Sequence, residues 1–379
     1  MPALRNIFKG NVELKELYVN RIIDYFAISL IGIFIPIYLL QTGFSLSQVF
    51  GYFTFVWGTT LIMSFFAAHV ASVVGIKRTI VLRVPILILF LFLLTNLEYI
   101  HPGFLYLTAI IGGTATAFYW IPLNSEFCRN VDRKKVGSET GYLTALPRFF
   151  VMFAPLLGGI MLEYFGFHSV FILVMLLAAL SVIPLSFTGE CLVNFRFNTK
   201  KEKSLNRSQG FSGKFFIQGM VWITETIVWP IYVFIVLGSV VSVGVAGTLS
   251  VLGLSLFTII IGKFSDRASK KNLIMAGSLL FAAVWFFRIL SSTPLEIFLL
   301  SLMGGLSMAL IDVPIFAMFS KISKRNPLAM IVSREVFLTL GKITLLMSLL
   351  LLALFLSSAN VFSFAFAFAG IMVLGLLFI

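Results

Sequence analysis

Charge is scarce in this chain. Asp, Glu, Lys and Arg make up 11% of its 379 residues, against roughly 25% in soluble proteins, too few to clothe a water-facing surface. Cysteine is nearly absent: Cys128 and Cys191 both fall near the same-side ends of apolar runs, which argues against a disulfide framework. The three histidines, His69, His101 and His168, have no metal-ligand spacing, so no metal or other cofactor is expected. No phosphate-cradling G-x-x-x-x-G-K-[ST] loop occurs, which sets aside ATP hydrolysis by this chain. The 15 acids are scattered, which counts against a membrane-embedded lipid or prenyl transferase with clustered carboxylates.

What the chain has instead is apolar length. Hydrophobic residues form 59% of it, with 42 Phe and a mean hydropathy of +1.04. A run of about 20 apolar residues spans the hydrocarbon layer. Twelve such runs are readable: 21–40, 46–70, 78–98, 103–125, 141–162, 167–188, 214–237, 243–263, 272–290, 296–319, 334–356 and 360–379. In lipid each must be helical, because no water satisfies the backbone there. The first run is too long for a cleavable signal and follows a polar stretch with Glu13, Lys15 and Glu16.

The net charge of +13 raises nucleic-acid binding, but its placement points to a lipid bilayer. All 28 Lys and Arg except Arg148, Arg288 and Lys342 fall on one side if the runs alternate. The opposite turns hold Glu98, Glu163, Glu296 and His101 and no basic residue. The positive-inside rule then puts both termini in the cytoplasm of a multi-pass protein of the cell (inner) membrane.

The chain also contains itself twice. Gly262-Lys263-Phe264-Ser265-Asp266-Arg267-Ala268-Ser269-Lys270-Lys271 has a degraded echo 194 residues earlier, ending in Gly75-Ile76-Lys77. The same shift lays Pro36-Ile37-Tyr38 on Pro230-Ile231-Tyr232. Pro122 matches Pro314, and Ser138-Glu139-Thr140 matches Ser333-Arg334-Glu335, at nearly that offset. Internal repeats of membrane segments mark secondary transporters. The expected division is an N-terminal six-helix bundle over 1–189, a polar cytoplasmic linker over 190–213 and a C-terminal six-helix bundle over 214–379.

Twelve spans as six plus six, a basic central loop and G-K-F-S-D-R-x-S-K-K after an even-numbered span resemble the major facilitator superfamily. Its cytoplasmic signature reads roughly G-x-x-x-D-R-x-G-R-K. Gly262, Asp266, Arg267, Lys270 and Lys271 fit it, with Ser269 in place of the second glycine; the first copy keeps Gly75, Lys77 and Arg78. The resemblance implies an all-α fold of two pseudo-symmetric six-helix bundles, with spans 1, 4, 7 and 10 lining a central cavity. It makes span 5, starting near Ser138-Glu139, the neighbour that Asp266 faces when the cytoplasmic side closes, so Gly75 and 262–271 are expected to act as a gate. Ala154-Pro155-Leu156-Leu157-Gly158-Gly159 resembles the G-P-x-x-G-G element of proton-coupled exporters. Span 4 lacks the Arg of many drug–proton antiporters.

Ionisable groups in mid-membrane cost about 2.5–3.5 kcal/mol on insertion scales and point to function. Glu225 lies near the centre of span 7. Gln218, Trp222, Trp229 and Tyr232 share its face at helical spacing. A carboxylate flanked by indoles suits a proton site, or an organic cation held by charge and ring faces. Asp312 on span 10 is the second candidate for proton coupling. Asp24 on span 1 is the third, although a local ion pair with Arg21 competes there. By the family analogy Tyr38, Trp120, Trp229, Glu225 and Asp312 share one chamber. Arg148 and Lys342 are expected to neutralise its acids or to bind an anionic solute. Arg288 is expected to pair with Glu296 at the interface.

The expected function is secondary active transport by alternating access, as proton-coupled export of a small organic or amphipathic solute by a monomer. Proton symport or uniport in the import direction is the alternative, ahead of a non-transporting receptor or an enzyme. Asp266→Asn is expected to slow transport while leaving expression intact; transport at the unsubstituted rate would exclude Asp266 from the gate.

Overall fold

The computed structural model describes residues 12–97, 103–130, 147–186, 210–267, 269–323 and 326–378, and among these it is helical almost throughout. The single-crossing spans are Val19–Gln41 (span 1), Leu46–Val74 (2), Ile76–Thr95 (3), Phe104–Glu126 (4), Phe211–Leu237 (7) and Val240–Thr258 (8). Lys270–Leu290 (9), Pro294–Ser323 (10), Pro327–Phe355 (11) and Ser358–Leu377 (12) complete them.

Spans 5 and 6 share one segment, Pro147–Leu185, of 39 residues. A straight helix of that length would run ~58 Å, about twice the hydrocarbon thickness. It breaks at Gly166, whose φ of 73° and ψ of 170° leave the helical region. Before the break Gly158 meets the backbone of Leu30 in span 1. After it Phe167 and Phe171 pack on Tyr38, and Asn20 donates to the Ser181 carbonyl at 2.7 Å. The segment therefore climbs along span 1, turns at Gly166 and returns, so the described residues of spans 5 and 6 form a helical hairpin.

The sequence repeat is also a repeat of packing. Span 2 packs on 4, 3 on 4 and 1 on the 5–6 hairpin; correspondingly span 8 packs on 10, 9 on 10 and 7 on 11. The glycine pairs at 112–113 and 304–305 show why. Gly113 lies against the backbone of Val56 and Thr60, and Gly305 against that of Ser250 and Leu254. Those partners are themselves 194 residues apart, so one close helix crossing is built twice from one pattern of small residues. The polar linker expected over 190–213 lies mostly outside the described residues, and the span 7 helix already begins at Phe211.

Spans 1 and 7 each break at the repeated Pro-Ile-Tyr. A proline removes the hydrogen bond to the fourth residue before it, here the carbonyls of Gly32 and Thr226. Span 1 responds by tightening to a 3₁₀ turn at Gly32–Phe34. Span 7 loosens to a π turn at Thr224–Val228, with the Trp229 N–H reaching back five residues to the Thr224 carbonyl. One turn loses rotation relative to an α-helix and the other gains it, so the faces beyond the two prolines are no longer equivalent.

The halves meet along spans 2 and 11 and along spans 5 and 8. Gly51 faces Leu350, Gly244 sits on the Pro155 carbonyl, and the Leu156 N–H donates to Thr248 Oγ1 at 3.1 Å. These contacts lie in the half of the membrane nearer the acidic turns. The Ala154-Pro155 element thus forms part of the closed seam. Gly113→Ala and Gly305→Ala should each destabilise by about 1–3 kcal/mol through overpacking, read as a lower unfolding temperature in detergent. Gly58→Ala, where nothing lies within 4 Å of the added carbon, should not; equal melting of all three would refute the repeated close crossing within each half.

Candidate functional site

A cavity of about 140 Å³ sits between the halves on the side away from the closed seam. Its deep end is aromatic. Lys342 of span 11 lies 3.4 Å over the ring of Trp57 from span 2 and 5.1 Å over that of Trp222 from span 7. The two indoles meet edge to face at 6.4 Å between centroids. One ammonium is thus held by ring faces from both halves. Lys342 is also 3.7 Å from Glu335, which Arg334 approaches to 3.9 Å.

The middle of the cavity belongs to Asp312 and Gln218. Gln218 Nε2 donates to Asp312 Oδ1 at 2.5 Å, bridging spans 7 and 10. Asp312 lies in the field of Arg148 and Arg334. Trp120 and Asn124 of span 4 form the opposing wall, with Phe215 and Phe316 beside Arg334. Arg21 and Arg148, at the basic-side ends of spans 1 and 5, complete the mouth. The cavity therefore runs from two indoles at mid-membrane toward the face that carries the basic loops.

Of the residues expected in the cavity, Trp120, Arg148, Gln218, Trp222, Asp312 and Lys342 line it. Glu225, Trp229, Tyr232, Tyr38 and Asp24 do not. Glu225 turns away because the π turn rotates the stripe it belongs to. It is bound in two-pronged fashion by Arg288, Nη1 to Oε2 at 2.5 Å and Nη2 to Oε1 at 3.1 Å. The Arg288 guanidinium lies between the rings of Trp229 and Trp285, 4.1 and 4.3 Å from their centroids, and the residue is 0% exposed. Trp229 Nε1 donates to Ser301 at 3.0 Å, and the Tyr232 hydroxyl to the Ser291 carbonyl at 2.5 Å. These groups close a network inside the C-terminal half.

The expected Arg288–Glu296 pair is thereby corrected. Glu296 instead accepts the backbone N–H groups of Ser292 and Thr293 at the start of span 10, where a carboxylate faces the positive end of the helix. Asp24 is paired, but with Arg83 of span 3 rather than with Arg21 three residues away. Arg83 also lies 4.2 Å over the Tyr119 ring. Tyr38 is buried against Phe167 and Phe171, since its span tightened where span 7 loosened.

Of the expected gate residues, Gly75, Lys270 and Lys271 are not among the described residues that line the cavity. The side chains of Gly262, Asp266 and Arg267 lie outside the described residues, although the helix runs through to Arg267; Lys270 and Lys271 open the next helix. Gly75 joins spans 2 and 3 at a φ of 105°, a conformation that side chains disfavour. Trp57, Glu335 and Arg334 were not among the expected cavity residues. The spacing of Glu335 and Lys342, two turns apart on one face of span 11, is the signal that would have found Glu335; Trp57 on span 2 had no such signal.

A solvent-reaching chamber between two equivalent helical bundles, sealed at one membrane face, is the build of a solute carrier. Residues 17–212 match the Major Facilitator Superfamily, and the chain belongs to that family. It is a multi-pass secondary transporter and not an enzyme. In fold it is similar to the human organic anion transporter MFSD10 (TETRAN), with a TM-score of 0.71 at 10% identity, covering 97% of this chain and 98% of that one. It is likewise similar to the nucleoside transporter NupG, with a TM-score of 0.72 at 12% identity and the same coverage. No curated protein matches the chain in sequence.

Removing one partner of a buried ion pair strands the other charge and costs about 3–5 kcal/mol. Arg288→Met alone should therefore lower thermal stability sharply, and adding Glu225→Met should recover much of the loss. A double variant no more stable than Arg288→Met would show that the pair does not lock the bundle.

Proposed function

We propose that this transporter couples the movement of a small organic or amphipathic solute to protons, exporting it across the cell membrane with both termini in the cytoplasm. The solute occupies the cavity between the halves, 1–189 and 214–379, and the chain works as a monomer. One observation carries the reading: Asp312 is the deep carboxylate that faces the cavity, at 2.5 Å from Gln218. Glu225 is occupied by Arg288, so of the candidates for proton coupling Asp312 takes first place.

The charge on Asp312 attracts Arg148 and Arg334 and holds the amide of Gln218. Protonation weakens all three contacts at once and releases groups on spans 5, 7, 10 and 11. Loss of that charge is a differential interaction between two states, which is what shifts a conformational equilibrium. The structure is closed at spans 2, 5, 8 and 11 near the acidic turns; in the opposite state the basic face closes instead, where Asp266 and the lysines after it serve as the gate.

Proton symport is the second reading, favoured by the cations Arg148 and Lys342 that line the cavity among the described residues. An anion bound there would draw a proton with it. Both neighbours in fold are transporters of organic solutes by their descriptions, one an organic anion transporter and one a nucleoside transporter. The test is flux in proteoliposomes with an imposed pH gradient and a pH-sensitive dye inside, using a panel of an aromatic organic anion, a nucleoside and an organic cation. A solute should move protons in the unsubstituted protein, and Asp312→Asn should abolish proton movement while sparing solute exchange. Full proton coupling in Asp312→Asn would remove Asp312 from the mechanism. The sign of the proton movement separates export by antiport from symport.

A further inference from the structure

Lys342 stands where a ligand would. It lies ~22 Å along the span 11 helix from the basic end, at mid-membrane depth, and is 4% exposed. A lysine this deep is expected to point at an acid or at the solute. Its ammonium instead enters a corner of aromatic faces, 3.4 Å over the Trp57 ring and 5.1 Å over the Trp222 ring. The two indoles meet at 78°, so they form two walls at nearly a right angle. Glu335 stands at 3.7 Å, beyond ordinary hydrogen-bond length. Ring faces with a carboxylate near by are the parts from which proteins build cages for organic ammonium ligands.

The corner is firm on one side and carried by the other half on its second side. Spans 7 and 11 are pressed backbone to backbone. A carbon added at Gly219 would lie 1.9 Å from the Leu338 carbonyl, and one at Gly341 would lie 2.0 Å from that of Phe216. Gly219 is one turn from Trp222 and Gly341 adjoins Lys342, so these two crossings hold Trp222, Lys342 and Glu335 as one body. Trp57 belongs to span 2 of the other half. Its Nε1 is buried and has no hydrogen-bond partner among the described residues. The ring faces, not the polar edge, therefore carry its interaction with this corner.

Lys342 brings a compact ammonium on a flexible stem. Tethering supplies such a group at an effective concentration of about millimolar or above. A free amine of about four heavy atoms binds no tighter than roughly 40 μM even at the ligand-efficiency ceiling. The tether therefore keeps the corner filled against free amines of this size.

We propose that Trp57, Trp222 and Glu335 form a binding site for a primary alkylammonium, which the chain fills with its own Lys342. The tethered ammonium keeps organic cations out of the deep end of the cavity. It also joins the two halves through Trp57 while the cavity is open toward the basic loops. The site is independent of which solute is carried and of whether protons drive it.

Lys342→Ala removes the atoms of n-propylammonium, which makes that amine the probe. Thermal unfolding of the purified full chain is followed at matched ionic strength with n-propylammonium and with 1-propanol, its uncharged counterpart. n-Propylammonium should raise the unfolding temperature of Lys342→Ala saturably, with half-saturation on the order of millimolar. The unsubstituted chain should not respond, and 1-propanol should stabilise neither. Adding Trp57→Leu to Lys342→Ala should weaken n-propylammonium binding by about tenfold, which separates a cage from a simple ion pair with Glu335. If Lys342→Ala folds only with n-propylammonium present during purification, that rescue supports the site as well. The proposal is overturned if n-propylammonium neither stabilises nor rescues Lys342→Ala, or if 1-propanol serves equally. Unchanged affinity in the Trp57→Leu background, or an equal response of the unsubstituted chain, overturns it too.

Discussion

Placing an ionised side chain in the middle of a bilayer costs about 2.5–3.5 kcal/mol on insertion scales, so charges within the described spans are placed by what neutralises them. Two buried pairs each settle inside a single half. Asp24 with Arg83, stacked on Tyr119, ties span 1 to span 3; Glu225 with Arg288, clasped by Trp229 and Trp285, ties span 7 to span 9. Both use an arginine whose face lies on an aromatic ring and whose edge meets a carboxylate. Other membrane charges, Arg148, Asp312, Arg334, Glu335 and Lys342, gather where the halves part.

That separation suits alternating access. Each half must move as a body, which requires its internal charges to stay paired through the cycle. The surfaces between halves must hold contacts that one state makes and the other breaks. Lys342 fits the second requirement, since its ammonium lies on Trp222 of its own half and Trp57 of the other. The seam at Gly244, Pro155 and Thr248 fits it too, being made of backbone approach and one hydrogen bond rather than of interlocked side chains.

Much of the fold was legible in the sequence because membrane helices obey strong local constraints. Apolar length located the spans, charge asymmetry ordered them, and the 194-residue shift of Pro-Ile-Tyr and of the charged turn at 262–271 exposed the duplication. The site was legible only in part. Asp312, Gln218, Trp222, Trp120, Arg148 and Lys342 were found by depth and residue type. Glu225, Trp229 and Tyr232 were read on the cavity face because helical spacing presumes an unbroken α-helix. The π turn at Thr224–Val228 rotates them out. Its cause, Pro230, was in plain view, but a missing hydrogen bond can be resolved by tightening or by loosening, and span 1 took the other course at Pro36. The partners Arg83 and Arg288 lie 59 and 63 residues from their acids, a separation at which sequence spacing carries no signal.

Two deep carboxylates are placed differently: Asp312 lines the cavity, and Glu225 is bound in two-pronged fashion by Arg288. The proposed mechanism has Asp312, and not Glu225, exchange a proton with the cavity. Infrared difference spectroscopy of the purified chain, recorded between neutral and acidic pH in the region of protonated carboxyl groups, reads that directly. A buried carboxylic-acid band should grow on acidification and be missing from Asp312→Asn. A band that persists undiminished in Asp312→Asn and vanishes from Glu225→Gln would contradict it.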